Sequence, residues 1–221
     1  MKKEYFNNRN QSIDSNDKDK TQRKIFAERE IKTLSILQDI LNENFYTNSN
    51  SILDLGCGDQ YLNLQIAKDK KSYLGLDIDD LNFENDTFPL DDNSFDLILS
   101  YSVIEHIHDP SIFLNESMRV LKTGGYFIIE TPNWNYSFRD FYNDFTHVKP
   151  YTPNSLIDIM SGFGFTSLGA FPNMRCKNHF FYKNKYRFQI ANNLPFRNDT
   201  KFPVPSFLKG RARGMYAIFK K

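Results

Sequence analysis

Short apolar runs alternate with amphipathic stretches along most of this chain. From Arg23 to Phe45 the apolar residues Ile31, Leu34, Leu37, Ile40 and Leu41 recur three and four apart, which predicts an entry helix with one buried face. Ser51–Leu55 then reads as a short buried strand, residues 60–68 as a helix carrying Leu62, Leu64, Ile66 and Ala67, and 73–77 as a second strand. Phe95–Ser100 predicts a third strand. Residues 111–122 predict a helix with Ile112, Phe113, Met118, Val120 and Leu121 apolar, broken by Gly124-Gly125 ahead of a strand at Tyr126–Glu130. A helix at 153–162 closed by Gly162, and two β-prone runs at Phe165–Phe171 and Met215–Phe219, complete the pattern. Strands alternating with helices imply an α/β fold with a mostly parallel sheet and right-handed crossovers. Two late strands with no helix between them imply an antiparallel hairpin at its edge. Residues 1–21 are polar and predict a flexible tail, leaving 22–221 as a single domain. The acidic stretch 78–94, interrupted by Pro89, predicts a loop or a stunted crossover.

At 221 residues the chain is long enough for one domain with a sizeable core. Its 28 basic and 27 acidic residues leave a formal net charge of +1, which gives no general attraction to nucleic acid or to a membrane surface. Cys57 and Cys176 cannot form a disulfide framework, so a reducing compartment is the expectation. No run approaches the ~18 apolar residues of a membrane span, and the N-terminus lacks the apolar stretch of a signal peptide. A soluble, cytoplasmic protein is expected.

Candidate chemistry begins where the first strand ends. Ile52-Leu53 runs into Asp54-Leu55-Gly56-Cys57-Gly58, and the second strand ends in Asp77. Glycines after a strand allow a sharp turn and close approach of a ligand, and an acid at the end of the next strand can accept both hydroxyls of a ribose. A dinucleotide fingerprint needs a third glycine near position 61, which is Tyr. That argues against a nicotinamide-binding oxidoreductase. Asp54 would repel a phosphate and suits a ligand bearing an ammonium group. Ser100 and Tyr101 close the third strand, where open α/β sheets bind ligands.

Asp54-Leu55-Gly56-Cys57-Gly58 resembles the first motif of class I S-adenosylmethionine (SAM) methyltransferases, and Asp77 matches their ribose-binding acid. Phe88–Ile98, Val103–Pro110 and Arg119–Tyr126 resemble segments of the type 11 and ubiquinone-pathway-like branch, in the same order and spacing. The resemblance runs from about residue 27 to 170. It implies a Rossmann-like three-layer sandwich with SAM as cofactor. Asp54, Gly56 and Gly58 would hold the amino-acid end and Asp77 the ribose, with Cys57 and Ile78 completing the set. A departure follows: only ten residues, 78–87, separate Asp77 from Phe88, where the family has a full helix. Adenine contacts must come from that loop, with Glu84, Asn85 and Asp86 as candidates and plain solvated polarity as the alternative. The entry helix would roof the site. Its Arg23, Glu28 and Arg29 could touch ligand, or form a solvated face.

Methyl transfer from a sulfonium is an in-line displacement, and a hydroxyl acceptor needs a base or a metal. Among His106, His108, His147 and His179, the candidate base is His147, in the loop Asp144–Pro153 after the strand ending at Glu130; a structural loop histidine is the alternative. His108 and His179 have no evident partner. Some ubiquinone-pathway and small-RNA methyltransferases bind a divalent metal through a Glu-x-x-Glu-His segment. Glu105-His106 match its end, His147 stands five residues before Thr152, but the first Glu is Ser102. Glu105-His106 read either as a hydrogen-bonded structural pair or as metal ligands, so a metal-assisted O-methyltransferase using Glu105, His106 and His147 is a rival, and a SAM-binding partner protein without turnover is another. The aromatic and basic stretch at 172–212 predicts either a cap over the acceptor or a packed extension. The segments 144–153 and 207–211 resemble small methyltransferases of bacterial polysaccharide clusters, implying a small-molecule or glycan hydroxyl as acceptor.

Overall fold

The computed structural model describes residues 17–173, 185–197 and 200–221. Six strands form one sheet in the order β2-β1-β3-β4-β8-β5. β1 (Ser51–Leu55), β2 (Ser72–Leu76), β3 (Phe95–Tyr101) and β4 (Leu121–Pro132) run parallel. β8 (Gly214–Lys220) is antiparallel to β4 and to the edge strand β5 (Thr166–Pro172). The late antiparallel pair expected from the sequence is present, with β8 inserted between β4 and β5, but the two strands are not directly consecutive: a helix (Lys185–Asn192) and the short strands β6 (Phe196–Arg197) and β7 (Lys209–Arg211) stand between them, where no helix was expected.

Both faces of the sheet are covered, which is why its central strands are continuously apolar. Successive side chains point to opposite faces. Leu97 and Leu99 of β3 pack with Ile31, Leu34 and Leu37 of α1 (Asp17–Leu41) and with Ile66 of the short α2 (Asn63–Ile66). Ile98 packs on the other face with Phe113 of α3 (Ser111–Val120) and, past the short α4 (Trp134–Ser137), with Leu156 and Met160 of α5 (Pro153–Gly162). Each such fully buried Leu, Ile or Phe contributes ~1.5–3 kcal/mol relative to exposure. The helix α5 starts where the sequence predicted. Thr152 and Ser155 form a reciprocal capping box, and Pro153 takes the first turn, where a missing N–H costs nothing.

Three boundaries differ from expectation. α1 begins at Asp17, so residues 17–21, read as tail, extend the entry helix; residues 1–16 lie outside the described chain. α2 has four residues, not nine. α3 gives way directly to strand at Leu121, because fully buried Leu121 pairs with Phe95. The next pair is Leu97 with Tyr126, so extra residues of β4 bulge out. Gly124-Gly125 serves that bulge rather than separating helix from strand. Between β2 and β3 the chain makes only turns, the loop of the two expected alternatives. No described helix is long and apolar enough to cross a membrane.

Candidate active site

The carboxyl ends of β1, β2, β3 and β4 meet at one edge, and the candidate residues gather there. Gly56 turns with φ +81° and donates its amide to the Leu76 carbonyl at 2.7 Å, tying the end of β1 to the end of β2. A Cβ on Gly56 would lie 2.1 Å from a methyl of Val103. Gly56→Ala therefore combines left-handed strain with overpacking, and is expected to cost ~2–5 kcal/mol. Denaturant unfolding would measure this. Adding Val103→Ala should recover the packing part and leave the strain.

Asp77 closes this turn from the other side. One carboxylate oxygen accepts the Gly58 amide at 2.5 Å and the other accepts the Ile78 amide at 2.6 Å. Those bonds orient the carboxylate while leaving further lone pairs for ribose hydroxyls. Asp54 is buried at the end of β1 and accepts the Tyr73 hydroxyl at 2.7 Å. Burial pushes its carboxyl up to about 7; the charges of Asp77 and Asp59 add to this and the Tyr73 hydroxyl opposes it. A bound ammonium would favour the ionised form. Its effect on stability has the opposite sign to that of a salt-bridged acid: the stabilising contribution of the raised group is full below the ordinary carboxylate range and is lost as pH rises through about 7. Cofactor affinity should therefore rise with pH up to about 7 and then level off, with proton release below that point. Calorimetry in buffers of different ionisation enthalpy checks this, and Asp54→Asn should flatten the dependence. Cys57 is buried and its thiol is pushed up to about 12, first by burial and then by Asp54, Asp77 and Asp80, so it is no nucleophile. Gly75, beside it, has no room for a side chain: a Cβ there would meet the Cys57 sulfur at 2.7 Å.

The roof is α1. Arg23, one of three residues weighed between ligand contact and solvated face, pairs with Asp59 next to Gly58 at 2.6 Å. Glu28 is exposed, and Arg29 lies over the Phe26 ring. Glu30, which the sequence did not single out, is buried and accepts the Tyr216 hydroxyl. Ser100 and Tyr101 end β3 with side-chain oxygens that are buried and have no hydrogen-bond partner among the described residues. Of the loop candidates, Glu84 accepts the His108 amide at 3.2 Å, Asp86 accepts the Asn82 amide at 2.7 Å, and Asn85 is exposed. Asp86 thus closes its own turn.

Beyond the ends of β3 and β4 lies a cavity of about 300 Å³ lined by Ser102, Glu130, Phe141, His147, Asn173 and Arg213, among others. Ser102 has a left-handed backbone, φ +57°, which costs a non-glycine residue roughly 1–3 kcal/mol and marks functional sites. Its amide and hydroxyl bond the Glu130 carbonyl and carboxylate at 2.8 and 3.1 Å. His147 is positioned by two sets of contacts. Its Nδ1 lies 2.6 Å from the Phe141 carbonyl, and the amides of Val148 and Lys149 donate to the Glu105 carbonyl at 2.9 and 3.1 Å. A carbonyl oxygen only accepts, so Nδ1 is the donor of that contact and Nε2 is the ring nitrogen left for another partner.

The two regions Glu105-His106 and His147, far apart in sequence, do come together. Glu105, His106 and His147 each offer a ligand atom within 4.8 Å of the others. His106 Nδ1 lies 3.1 Å from the Thr146 carbonyl. One Glu105 oxygen accepts the Thr131 hydroxyl at 2.9 Å, while the other is buried without a partner among the described residues. Burial pushes this carboxyl up to about 8, with nearby Glu130 and Asp144 adding to it. The donor set of two imidazoles and a carboxylate suits a divalent transition metal. Its span is wider than the ~3.4 Å between ligand atoms around a tetrahedral ion with ~2.1 Å bonds, so holding one would require the three to close in. Among the other histidines, His108 is exposed and His179 lies outside the described residues, as does Cys176.

A family model described as a methyltransferase domain matches residues 23–168, which takes in the glycine turn, Asp77 and the segments up to Pro153 but not 207–211. A probable SAM-dependent methyltransferase of Mycolicibacterium smegmatis is 35% identical over 97 residues, 37% of this chain and 38% of that protein. The ubiquinone biosynthesis O-methyltransferase of Pelagibacter ubique is 29% identical over 100 residues, 37% of this chain and 42% of its own length. The match thus spans about two fifths of these curated relatives. In fold, the chain is similar to a SAM-dependent methyltransferase of Archaeoglobus fulgidus, with a TM-score of 0.56 and 20% identity over 87% of this chain and 94% of that one. The dinucleotide-type alternative finds no support in these relatives, and with residues 23–168 of 221 inside one family match the chain belongs to the methyltransferase domain family, for which S-adenosylmethionine is the implied cofactor.

Proposed function

We propose that this protein transfers a methyl group from SAM to a hydroxyl of a small molecule or glycan. In this reading Asp54, Gly56, Cys57 and Gly58 hold the amino-acid end of SAM. Asp77 and Ile78 hold the ribose, Glu84 and Asn85 take the adenine edge, and Ser100 and Tyr101 line the floor. The observation that carries the O-methylation reading is His147, whose Nδ1 is tied to the Phe141 carbonyl at 2.6 Å while the ring borders the cavity. An imidazole so held can take the proton of an acceptor hydroxyl as the methyl group leaves the sulfonium. A cavity of about 300 Å³ suits one ring of an acceptor.

SAM supplies an activated methyl group; what the chain's residues supply is alignment and the base. The test is calorimetric titration with S-adenosylhomocysteine, followed by transfer from labelled SAM to glycan and phenolic acceptors. Micromolar binding followed by labelled product supports the proposal. Binding without product across the screen would favour a SAM-binding partner protein.

The second reading, a metal at Glu105, His106 and His147, is favoured by their convergence and by the unpartnered Glu105 oxygen. In it the cation would lower the pKa of the acceptor hydroxyl. EDTA separates the two: the base reading expects unchanged transfer after chelation. Loss of transfer, restored by a divalent cation, would establish the metal.

A further inference from the structure

β2 stands at the edge of the sheet, with β1 on one side and no strand on the other among the described residues. Backbone bonding shows which groups that leaves open. Ser72 donates its amide to the Asn50 carbonyl, and the Leu76 carbonyl accepts the Gly56 amide, so residues 72, 74 and 76 turn their peptide groups toward β1. Tyr73 and Gly75 alternate with them and turn theirs outward. The outward run stops there on both sides: the Lys71 amide donates to the Ile66 carbonyl, and the Asp77 amide to the Asp80 carboxylate. The open edge is therefore the N–H and C=O groups of two residues. Beside it, the face that carries Leu53, Leu55 and Leu76 has no covering helix at its outer end, because the chain between β2 and β3 makes only turns. Leu74, on that face by alternation, is 37% exposed. The two ends of the strand differ in charge. Lys68 and Lys70 are exposed just before it, and Asp79 and Asp80 just after. Asp69, the acid at the basic end, is tied to the Tyr46 hydroxyl.

We infer that β2 is the contact through which two copies of this chain pair, antiparallel and about a two-fold axis. Full overlap of Ser72–Leu76 with itself sets Leu74 opposite Leu74 and Tyr73 opposite Gly75. Each Tyr73–Gly75 pair then exchanges both of its N–H···O bonds, which satisfies every open edge group of both copies. No edge group of β2 is left to recruit a third copy, as in any closed isologous contact. The two Leu74 side chains cover one another across the axis. Antiparallel direction also sets Lys68 and Lys70 of one copy beside Asp79 and Asp80 of the other, whereas a parallel copy would stack like charge on like. A contact of one short strand per copy is at the small end of protein interfaces, so the dimer is expected at micromolar protein and above. The inference stands on the strand edge alone and does not depend on methyl transfer.

Sedimentation equilibrium of the full chain, from low to high micromolar, tests this. The wild type is expected to pass from monomer to dimer as concentration rises. Leu74→Lys sets two cations against each other at the axis and should weaken the dimer at least ~tenfold. Circular dichroism and a thermal unfolding curve show whether that variant folds; should it fail, the charge variant and the cross-link decide in its place. Lys68→Glu with Lys70→Glu lies outside the strand and should weaken the dimer by ~tenfold at low salt and by less at high salt. Oxidative cross-linking in a Cys176→Ser background reads the register. Leu74→Cys puts two sulfurs on a non-hydrogen-bonded pair with Cα atoms ~4.5 Å apart, within disulfide reach, and should cross-link. Ser72→Cys lies opposite Leu76, ~13 Å from its own counterpart, and should not. A wild type that stays monomeric throughout overturns the inference, as does a dimer that Leu74→Lys leaves intact. Equal cross-linking at both positions overturns the two-fold register.

Discussion

Asp77→Ala should lower affinity for S-adenosylhomocysteine by ~100-fold or more, the largest binding effect expected of any single change. Two hydroxyls donating to one carboxylate form charge-assisted hydrogen bonds, each ~1.5–3 kcal/mol. The carboxylate is already oriented for them, with the Gly58 and Ile78 amides bound at 2.5 and 2.6 Å. Removing it also releases the Gly58 amide, so the glycine turn loses part of its anchorage along with the proposed ribose contact. Asp77→Asn keeps one acceptor oxygen and should fall between wild type and alanine. Calorimetric titration reads the affinity, and a thermal unfolding curve without ligand shows how much of the loss comes from the fold. Unchanged affinity in a folded Asp77→Ala protein would mean that the cofactor lies elsewhere.

His147→Ala should leave S-adenosylhomocysteine binding within about twofold and lower transfer by ~10²–10⁴-fold, the range of general-base removal. The ring packs between Phe141 and His106, with centroids 4.5 and 4.8 Å away, so some local loosening is expected. A variant at His106 distinguishes chemistry from packing. If His147 acts as a base, His106→Ala should cost much less than His147→Ala. If both are metal ligands, the two losses should match and be sensitive to chelation. Transfer that survives His147→Ala would remove the base assignment.

Much of the fold was legible because its signals are local. Ile52-Leu53, Leu97-Ile98-Leu99 and Phe127-Ile128-Ile129 are apolar on both faces, as strands covered by helices must be. Thr152-Pro153 announced the start of α5. The boundary that failed, at Gly124-Gly125, failed because a glycine pair serves a bulge as readily as a helix stop. Arg23 could be assigned neither to ligand nor to solvent from helical spacing, since its partner Asp59 lies in another element.

The sequence by itself determined the glycine turn after β1, the acid that closes it and the family, since each rests on residue types at short fixed spacings. Only the tertiary structure decided the surroundings of Asp54, the backbone of Ser102 and the meeting of Arg197 with Arg213. The rise of the Asp54 carboxyl to about 7 comes from burial beside Asp77 and Asp59, a property of the packed environment and not of residue type. Ser102 turns left-handed because Glu130, from the next strand, bonds both its amide and its hydroxyl. Arg197 and Arg213 converge on Asp140 through strand pairing across a gap of more than a dozen residues. Such convergence is set by long-range register and chain reversal, which periodicity within a window cannot express.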